Sequence, residues 1–145
     1  MGKRTYYTNQ IDAFIKSHRL EKRVHLLHDV PSSIYQLFTN RQKFLSYPSR
    51  FEGFGIPIIE ALHSGIPVIA ATGSCLEEAG GPDSLYVHPD DKEGMTKAIC
   101  SLLNHPEKRQ HMIEQGLKYV TRFSEQRQAE ELMNLYRSLT EEKTI

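Results

Sequence analysis

Cysteine is scarce in this chain of 145 residues, where Cys75 and Cys100 occur without forming a CxxC pair. Two separated thiols are too few for a disulfide framework or a cysteine-based zinc site. The sequence also lacks an apolar run long enough to cross a bilayer, and no apolar signal core follows Met1. We therefore expect reduced thiols and a cytoplasmic location, with peripheral contact at the inner face of the cell membrane left open.

Net charge is also absent, because 18 Lys and Arg residues balance 18 Asp and Glu residues. A neutral chain has no bulk attraction for nucleic acid, so we expect no nucleic-acid partner. Hydrophobic residues make up 39% and charged residues 25% of the chain, which is typical of a soluble globular protein and excludes the disordered class. The length fits one domain.

Apolar periodicity alternates between helix and strand spacing along the chain. Helical patterns occur at residues 11–18, 32–38, 56–63, 95–103, 112–123 and 129–139, and strand-like runs at residues 24–27, 43–47, 67–71 and 85–87. Thr8 or Asn9 is predicted to cap the first helix, and Gly65 to end the helix at 56–63. The alternation predicts an α/β fold, a Rossmann-like parallel sheet with flanking helices. Ligands bind such sheets at the carboxyl ends of the strands, which here means the loops after residues 27, 47 and 71.

Residues 47–61 carry the most chemistry, since they join a predicted strand to a predicted helix. Gly53 and Gly55 permit positive φ, and Pro57 suits the first turn of a helix. The amides and dipole of such a helix N-terminus attract an anion such as a diphosphate. Glu52 and Glu60 flank the loop, and a carboxylate can accept from both hydroxyls of a vicinal diol. The arrangement indicates a nucleotide-sugar site, although on loop physics alone a purely structural turn is an equal alternative.

The same stretch resembles the signature of the retaining glycosyltransferases of the GT4 group (glycosyl transferases group 1). The resemblance rests on the run Pro48-Ser49-x-x-Glu52-Gly53-Phe54-Gly55-x-Pro57-x-x-Glu60-Ala61, followed by Gly65-Ile66-Pro67-Val68-Ile69-Ala70. It continues through Glu78-Ala79-Gly80 and His88-Pro89-Asp90, and ends at Phe123-Ser124. It therefore covers essentially the whole chain and is far more specific than the glutamate pair alone.

The resemblance implies a GT-B architecture, two Rossmann-like domains facing across a cleft, with residues 1–145 as part of the C-terminal, nucleotide-sugar-binding domain. It implies a catalytic role for Glu52 beside the donor sugar and a ribose contact for Glu60. The other expected donor-binding residues are Ser49, Gly53, Phe54, Gly55, Ile56, His28, Val30 and Thr72. No cofactor and no metal are expected, because the helix dipole and basic side chains would neutralise the leaving diphosphate. The transfer would retain the anomeric configuration.

Four further side chains near these loops have open roles. Arg50 is considered as a phosphate contact, and Glu77 or Glu78 as a cap of a short helix. Cys75 is interpreted as a passive thiol, because the sequence shows no neighbouring base that would activate it.

The chain departs from the group at its start. In relatives the domain opens with a strand, a glycine turn, and an Arg and a Lys that contact the diphosphate, whereas Gly2 here matches the glycine that ends the second strand. We therefore expect that the first strands and the N-terminal domain, which would bind a glycan or lipid-linked acceptor, are missing, and that the isolated chain is inactive. The alternatives are a non-catalytic remnant or nucleotide-binding module and, ranked lower, a GT-B-fold UDP-sugar epimerase.

Overall fold

A computed structural model describes residues 5–28 and 42–141, and the chain divides into two compact units, residues 1–40 and 41–145. In the first unit, helix α1 spans Tyr6–Ser17. The prediction that Thr8 or Asn9 caps this helix is wrong, because the helix begins one turn earlier, after Thr5. The Thr5 amide donates to Thr8 Oγ1 at 3.1 Å, and the Thr8 amide donates to the Thr5 carbonyl at 3.0 Å. Thr8 thus supports the helix start from inside the first turn.

The strand predicted at residues 24–27 is also wrong, because no strand is assigned within residues 5–28. Val24 and Leu27 are exposed. A strand needs a neighbour that accepts and donates its backbone hydrogen bonds, and a four-residue apolar run says nothing about whether that neighbour exists. The helix predicted at residues 32–38 lies outside the described residues.

The second unit alternates strands and helices, as predicted. Its strands are β1 (Leu45–Tyr47), β2 (Val68–Ala71) and β3 (Leu85–Val87). Its helices are α2 (Ile56–His63), α3 (Leu76–Gly80), α4 (Lys92–Asn104), α5 (Pro106–Val120) and α6 (Glu125–Glu141), with a 3₁₀ turn at Thr121–Phe123. The predicted strand at 85–87 is confirmed at its full length, and the strands at 43–47 and 67–71 are confirmed in shorter form.

Helix α2 ends where the glycine was predicted to end it. Gly65 has φ +65°, a left-handed conformation that is cheap only for glycine. The Ile66 amide then donates to the Ala61 carbonyl at 2.9 Å and the Gly65 amide to the Leu62 carbonyl at 3.0 Å. These two bonds satisfy carbonyls of the last turn and direct the chain into β2.

The three strands form one parallel sheet in the order β1-β2-β3. Tyr47 is opposite Ala70, and Ala71 is opposite Val87, so the three carboxyl ends lie at one edge. The middle strand β2 is buried along its whole length. This is what parallel pairing requires, since both faces of such a sheet are covered.

Two apolar clusters cover the two faces. Val68 and Ala70 pack with Ile58 of α2, whereas Ile69, on the opposite face of β2, packs with Leu102 of α4. Alternate residues of one strand point to opposite faces, so the two clusters identify two helical layers around the sheet.

Helix α6 carries an apolar stripe that is not buried. The large apolar side chains of this helix are about half exposed, from 49% at Leu132 to 55% at Tyr136. Ser124 caps the start of α6 only weakly, since the Arg127 amide donates to Ser124 Oγ at 3.4 Å. No helix among the described residues is long and apolar enough to cross a membrane.

Candidate functional site

Three loops leave the carboxyl ends of the strands: residues 48–55 after β1, residues 72–75 after β2 and residues 88–91 after β3. Direct contacts join them. The Cys75 thiol donates to the Glu52 carbonyl oxygen at 3.3 Å, and the Arg50 guanidinium pairs with the Asp90 carboxylate. The sheet therefore assembles the predicted site residues of these loops at one edge, where α/β folds bind ligands.

The loop at residues 48–55, called the glutamate loop below, enters α2 through a left-handed residue. Gly55 has φ +92° and precedes the first helical residue, and Pro57 lies in the first turn. A Cβ on Gly55 would lie 2.9 Å from Leu76 Cδ2 and 3.2 Å from Ala79 Cβ, so the backbone packs directly on α3. No described side chain caps α2. Because Pro57 has no amide hydrogen and the Ile58 amide donates to the Gly55 carbonyl at 2.9 Å, the Ile56 amide is the one in the first three positions of the helix that is left available to an anion.

The Glu52 carboxylate is held by two hydroxyls. Tyr47 donates to Glu52 Oε1 at 2.7 Å, and Ser49 donates to the same oxygen at 2.8 Å. The bond from Tyr47, followed by the bond from Ser49, lowers the pKa of Glu52 below its ordinary value, because both stabilise the charged form. Glu52 is thus an ionised acceptor whose Oε2 lies outside these two hydrogen bonds.

Glu60 is exposed on α2, one turn beyond Ile56, which is also exposed. The opposite side of the helix is buried at Ile58, Ala61 and Leu62. Residues four apart share a helix face, so the side chains of Glu60 and Ile56 lie on the same open side. Phe51 is 91% exposed and Ile56 62% exposed, so the site is open to solvent in this part of the chain.

Arg50 is paired with a neighbouring loop. Its guanidinium donates to both carboxylate oxygens of Asp90, one of them at 3.1 Å. These bonds lower the pKa of Asp90 and raise that of Arg50. The phosphate contact considered from sequence therefore has a competing partner, which lies forty residues away in the chain.

Two backbone amides of the loop after β2 form hydrogen bonds within the protein. The Thr72 amide donates to the Val87 carbonyl at 3.1 Å and continues the pairing with β3. Gly73 has φ +84°, and its amide donates to Glu77 Oε1 at 3.2 Å. Of the two candidates Glu77 and Glu78, it is Glu77 whose side chain accepts from this loop. The donor contact expected for Thr72 stays a prediction.

Two of the expected donor-binding residues, His28 and Val30, do not belong to the described part of the second unit. His28 belongs to the first unit, and Val30 lies outside the described residues. Their roles therefore stay predictions.

A family model, "Glycosyl transferases group 1", matches residues 4–119. This chain belongs to the glycosyl transferases group 1 family. The enzyme class inferred from the glutamate motif is confirmed by this match.

Curated relatives of this glycosyltransferase chain point the same way. The O-antigen chain mannosyltransferase RfbU of Salmonella typhimurium is 34% identical over 104 residues, which are 72% of this chain and 30% of that protein. The O-antigen chain mannosyltransferase B of Escherichia coli is 32% identical over 93 residues, 64% of this chain and 24% of that protein. The chain thus spans less than a third of the length of these relatives.

The fold of the glycosyltransferase chain is matched by a solved relative. The sucrose-phosphate synthase from Thermosynechococcus elongatus superposes with a TM-score of 0.78 at 25% identity, covering 93% of this chain and 35% of that one. The predicted Rossmann-like α/β fold of the GT-B glycosyltransferases is confirmed.

Four contacts in the candidate site were not predicted: those of Tyr47 and Cys75 with Glu52, of Asp90 with Arg50, and of Phe123 with Phe54. The Phe54 ring packs edge-on against the Phe123 ring, with centroids 5.7 Å apart. Sequence pattern gave no signal for the pairs of Cys75, Asp90 and Phe123, because only the fold brings residues 23 to 69 positions apart into contact. For Tyr47 the signal was available, since the last residue of a strand faces the ligand edge.

Proposed function

We propose that this chain provides the nucleotide-sugar-binding site of a retaining glycosyltransferase. The single observation that supports this most is the assembly of an ionised Glu52 and an uncapped α2 N-terminus at the carboxyl edge of a parallel sheet. The first is suited to sugar hydroxyls and the second to phosphate.

The roles follow from position. The amides of Gly53, Phe54, Gly55 and Ile56 would hold the diphosphate and the sugar, and Glu60 would accept from the ribose hydroxyls. Glu52 would contact the donor sugar at the reacting centre, where a fixed carboxylate stabilises developing positive charge. Ser49 would act mainly through Glu52, to which its hydroxyl is committed.

The acceptor belongs to the proposal as well. Glycosyltransferases transfer a sugar from a donor to an acceptor, and two curated relatives of this chain are named as O-antigen mannosyltransferases. We propose a glycan or lipid-linked acceptor, bound by parts of the enzyme that the matched region of these relatives does not include. Cytoplasmic placement and peripheral membrane contact stay predictions.

Calorimetric titration tests the donor site. UDP, GDP and ADP are titrated into the wild-type chain and into Glu60→Ala, with Glu130→Ala on α6 as a matched exposed glutamate. We expect one nucleotide to bind, and Glu60→Ala to weaken its binding by about tenfold, the loss of roughly one charge-assisted hydrogen bond. Unchanged binding in Glu60→Ala would contradict the ribose role.

Absence of binding by a folded wild-type chain would favour the second candidate, a remnant of the same family without donor binding.

A further inference from the structure

Among the described contacts, the glutamate loop is attached to neighbouring elements through the Glu52 carbonyl, which accepts from Cys75, through the Phe54 ring and through Arg50. A Cβ on Gly53 would meet no atom within 4 Å, and Phe51 is 91% exposed. The Arg50 side chain extends out of the loop to Asp90, which lies in the loop after β3. Because β2 lies between β1 and β3, this ion pair bridges from one outer strand of the sheet to the other, a separation of roughly 10 Å between strands.

Asp90 is held by its own loop. Its amide lies 3.2 Å from His88 Nδ1, and the next amide, that of Asp91, donates to the His88 carbonyl at 2.9 Å. Asp91 in turn caps α4, since its Oδ1 accepts from the Gly94 amide at 2.8 Å. The turn that presents Asp90 is therefore tied to the start of a thirteen-residue helix. Asp90 is the fixed end of the pair, and Arg50 is the end that reaches across.

The pair does not contribute much to global stability. The two side chains are 65% and 61% exposed, and solvent-exposed ion pairs have small effects on folding. Its two donor–acceptor contacts nevertheless restrict both the position and the rotation of the guanidinium, since a planar fork meets a planar carboxylate. Its effect is thus local, on the conformations available to residues 50–53.

We propose that Arg50 and Asp90 form a positioning pair that orders the glutamate loop for the donor. The proposal rests on the proposed function of that loop. Ordering the loop in the free protein lowers the entropy that donor binding must otherwise remove, so affinity rises although neither side chain has to touch the ligand.

Charge reversal separates a pair from two independent side chains. Arg50→Glu places two carboxylates together, and the double variant Arg50→Glu/Asp90→Arg restores opposite charges in the reverse order. The matched control is the Arg127–Glu131 pair on α6, which has a 3.2 Å contact and comparable exposure but no contact with the loop. It is reversed in the same two steps.

The first readout needs no ligand. The ¹H–¹⁵N heteronuclear NOE of the amides at residues 50–55 reports loop order on the picosecond to nanosecond timescale. We expect it to fall in Arg50→Glu, to recover in the double variant, and to be unchanged by both control reversals. Unchanged loop NOEs in Arg50→Glu would overturn the proposal, whether or not a nucleotide binds.

The second readout is the affinity for whichever of UDP, GDP or ADP the wild-type chain binds. We expect Arg50→Glu to weaken binding roughly fivefold, the upper range for exposed pairs, and the double variant to return to within about twofold of wild type. Loss of affinity that the double variant does not recover would overturn the pair and assign Arg50 to direct phosphate contact. If no nucleotide binds the wild-type chain, the proposed function fails, and the NOE series still decides the pair.

Discussion

At the scale of single residues, the state of Glu52 depends on two hydroxyls. Tyr47 and Ser49 both donate to Oε1, and their bonds lower the pKa of this carboxyl. Because the folded-state pKa is lowered, the charged carboxylate stabilises the fold at pH values above its unfolded-state pKa. This stabilisation is lost as the pH falls through the folded-state pKa. The carboxylate is therefore charged at neutral pH.

Removing either hydroxyl should raise the pKa of Glu52 toward its ordinary value, with the larger rise in Tyr47→Phe, since the Tyr47 bond is the larger cause. The measurement is a ¹³C titration of the glutamate carboxyls in the labelled chain, with the Glu52 signal assigned by its loss in Glu52→Gln. Tyr136→Phe, at an exposed tyrosine of α6, is the control. A Glu52 titration that is the same in Tyr47→Phe and Ser49→Ala as in the wild type would contradict this account.

Gly55 and Gly53 lie two positions apart and differ in what a methyl group would meet. Gly55→Ala forces a left-handed alanine whose Cβ contacts Leu76 and Ala79, so we expect it to lower the free energy of unfolding by on the order of 1–3 kcal/mol. Gly53→Ala adds a methyl group in open space, and we expect a change of less than about 0.5 kcal/mol. Urea denaturation of both variants measures the difference. Equal losses would show that the conformation of Gly55 is not what fixes the helix start.

At the scale of elements, α4 and α6 are both amphipathic and yet bury their apolar residues to very different extents. Leu102 of α4 is fully buried against Ile69, Val87 and Met112, whereas Leu132 of α6 is 49% exposed. We expect Leu102→Ala to lower the free energy of unfolding by about 2–5 kcal/mol, and Leu132→Ala to lower it by less than about 0.5 kcal/mol. Thermal and urea unfolding of the two variants would test this, and a large loss in Leu132→Ala would show that the α6 stripe is covered in solution.

Sequence periodicity predicted the elements of the second unit because their signals are local. The buried strand β2 is a continuous β-branched and alanine run, and α2 is marked by Pro57 at its start and Gly65 at its end. Residues 24–27, Val-His-Leu-Leu, are also largely apolar but have no partner strand in the described residues, and apolar content does not reveal whether a partner exists. The prediction of a strand fails where pairing, which is non-local, decides the outcome.

At the scale of the whole molecule, the sequence predicted the loop that carries the candidate site but not the contacts that support it. Glu52, Gly55 and Glu60 were predicted from the loop and its resemblance to a known signature. Their supporting contacts were not, because Cys75 and Asp90 reach the glutamate loop only after the sheet has aligned three carboxyl ends. Motifs describe consecutive residues, whereas the neighbours that hold a site in shape come from other strands.

The Cys75 thiol, which donates to the Glu52 carbonyl, lies beside the candidate site and can serve as a chemical probe of the glutamate loop. Cys75 is half-buried, whereas the second thiol, Cys100, is exposed on α4 and can be replaced by serine. The rate at which a maleimide dye alkylates the remaining thiol would then depend on how often the glutamate loop lifts away from it. Open conformations of that loop would thus be detected through the kinetics of labelling. With a fluorescent dye, labelling could be followed on single molecules.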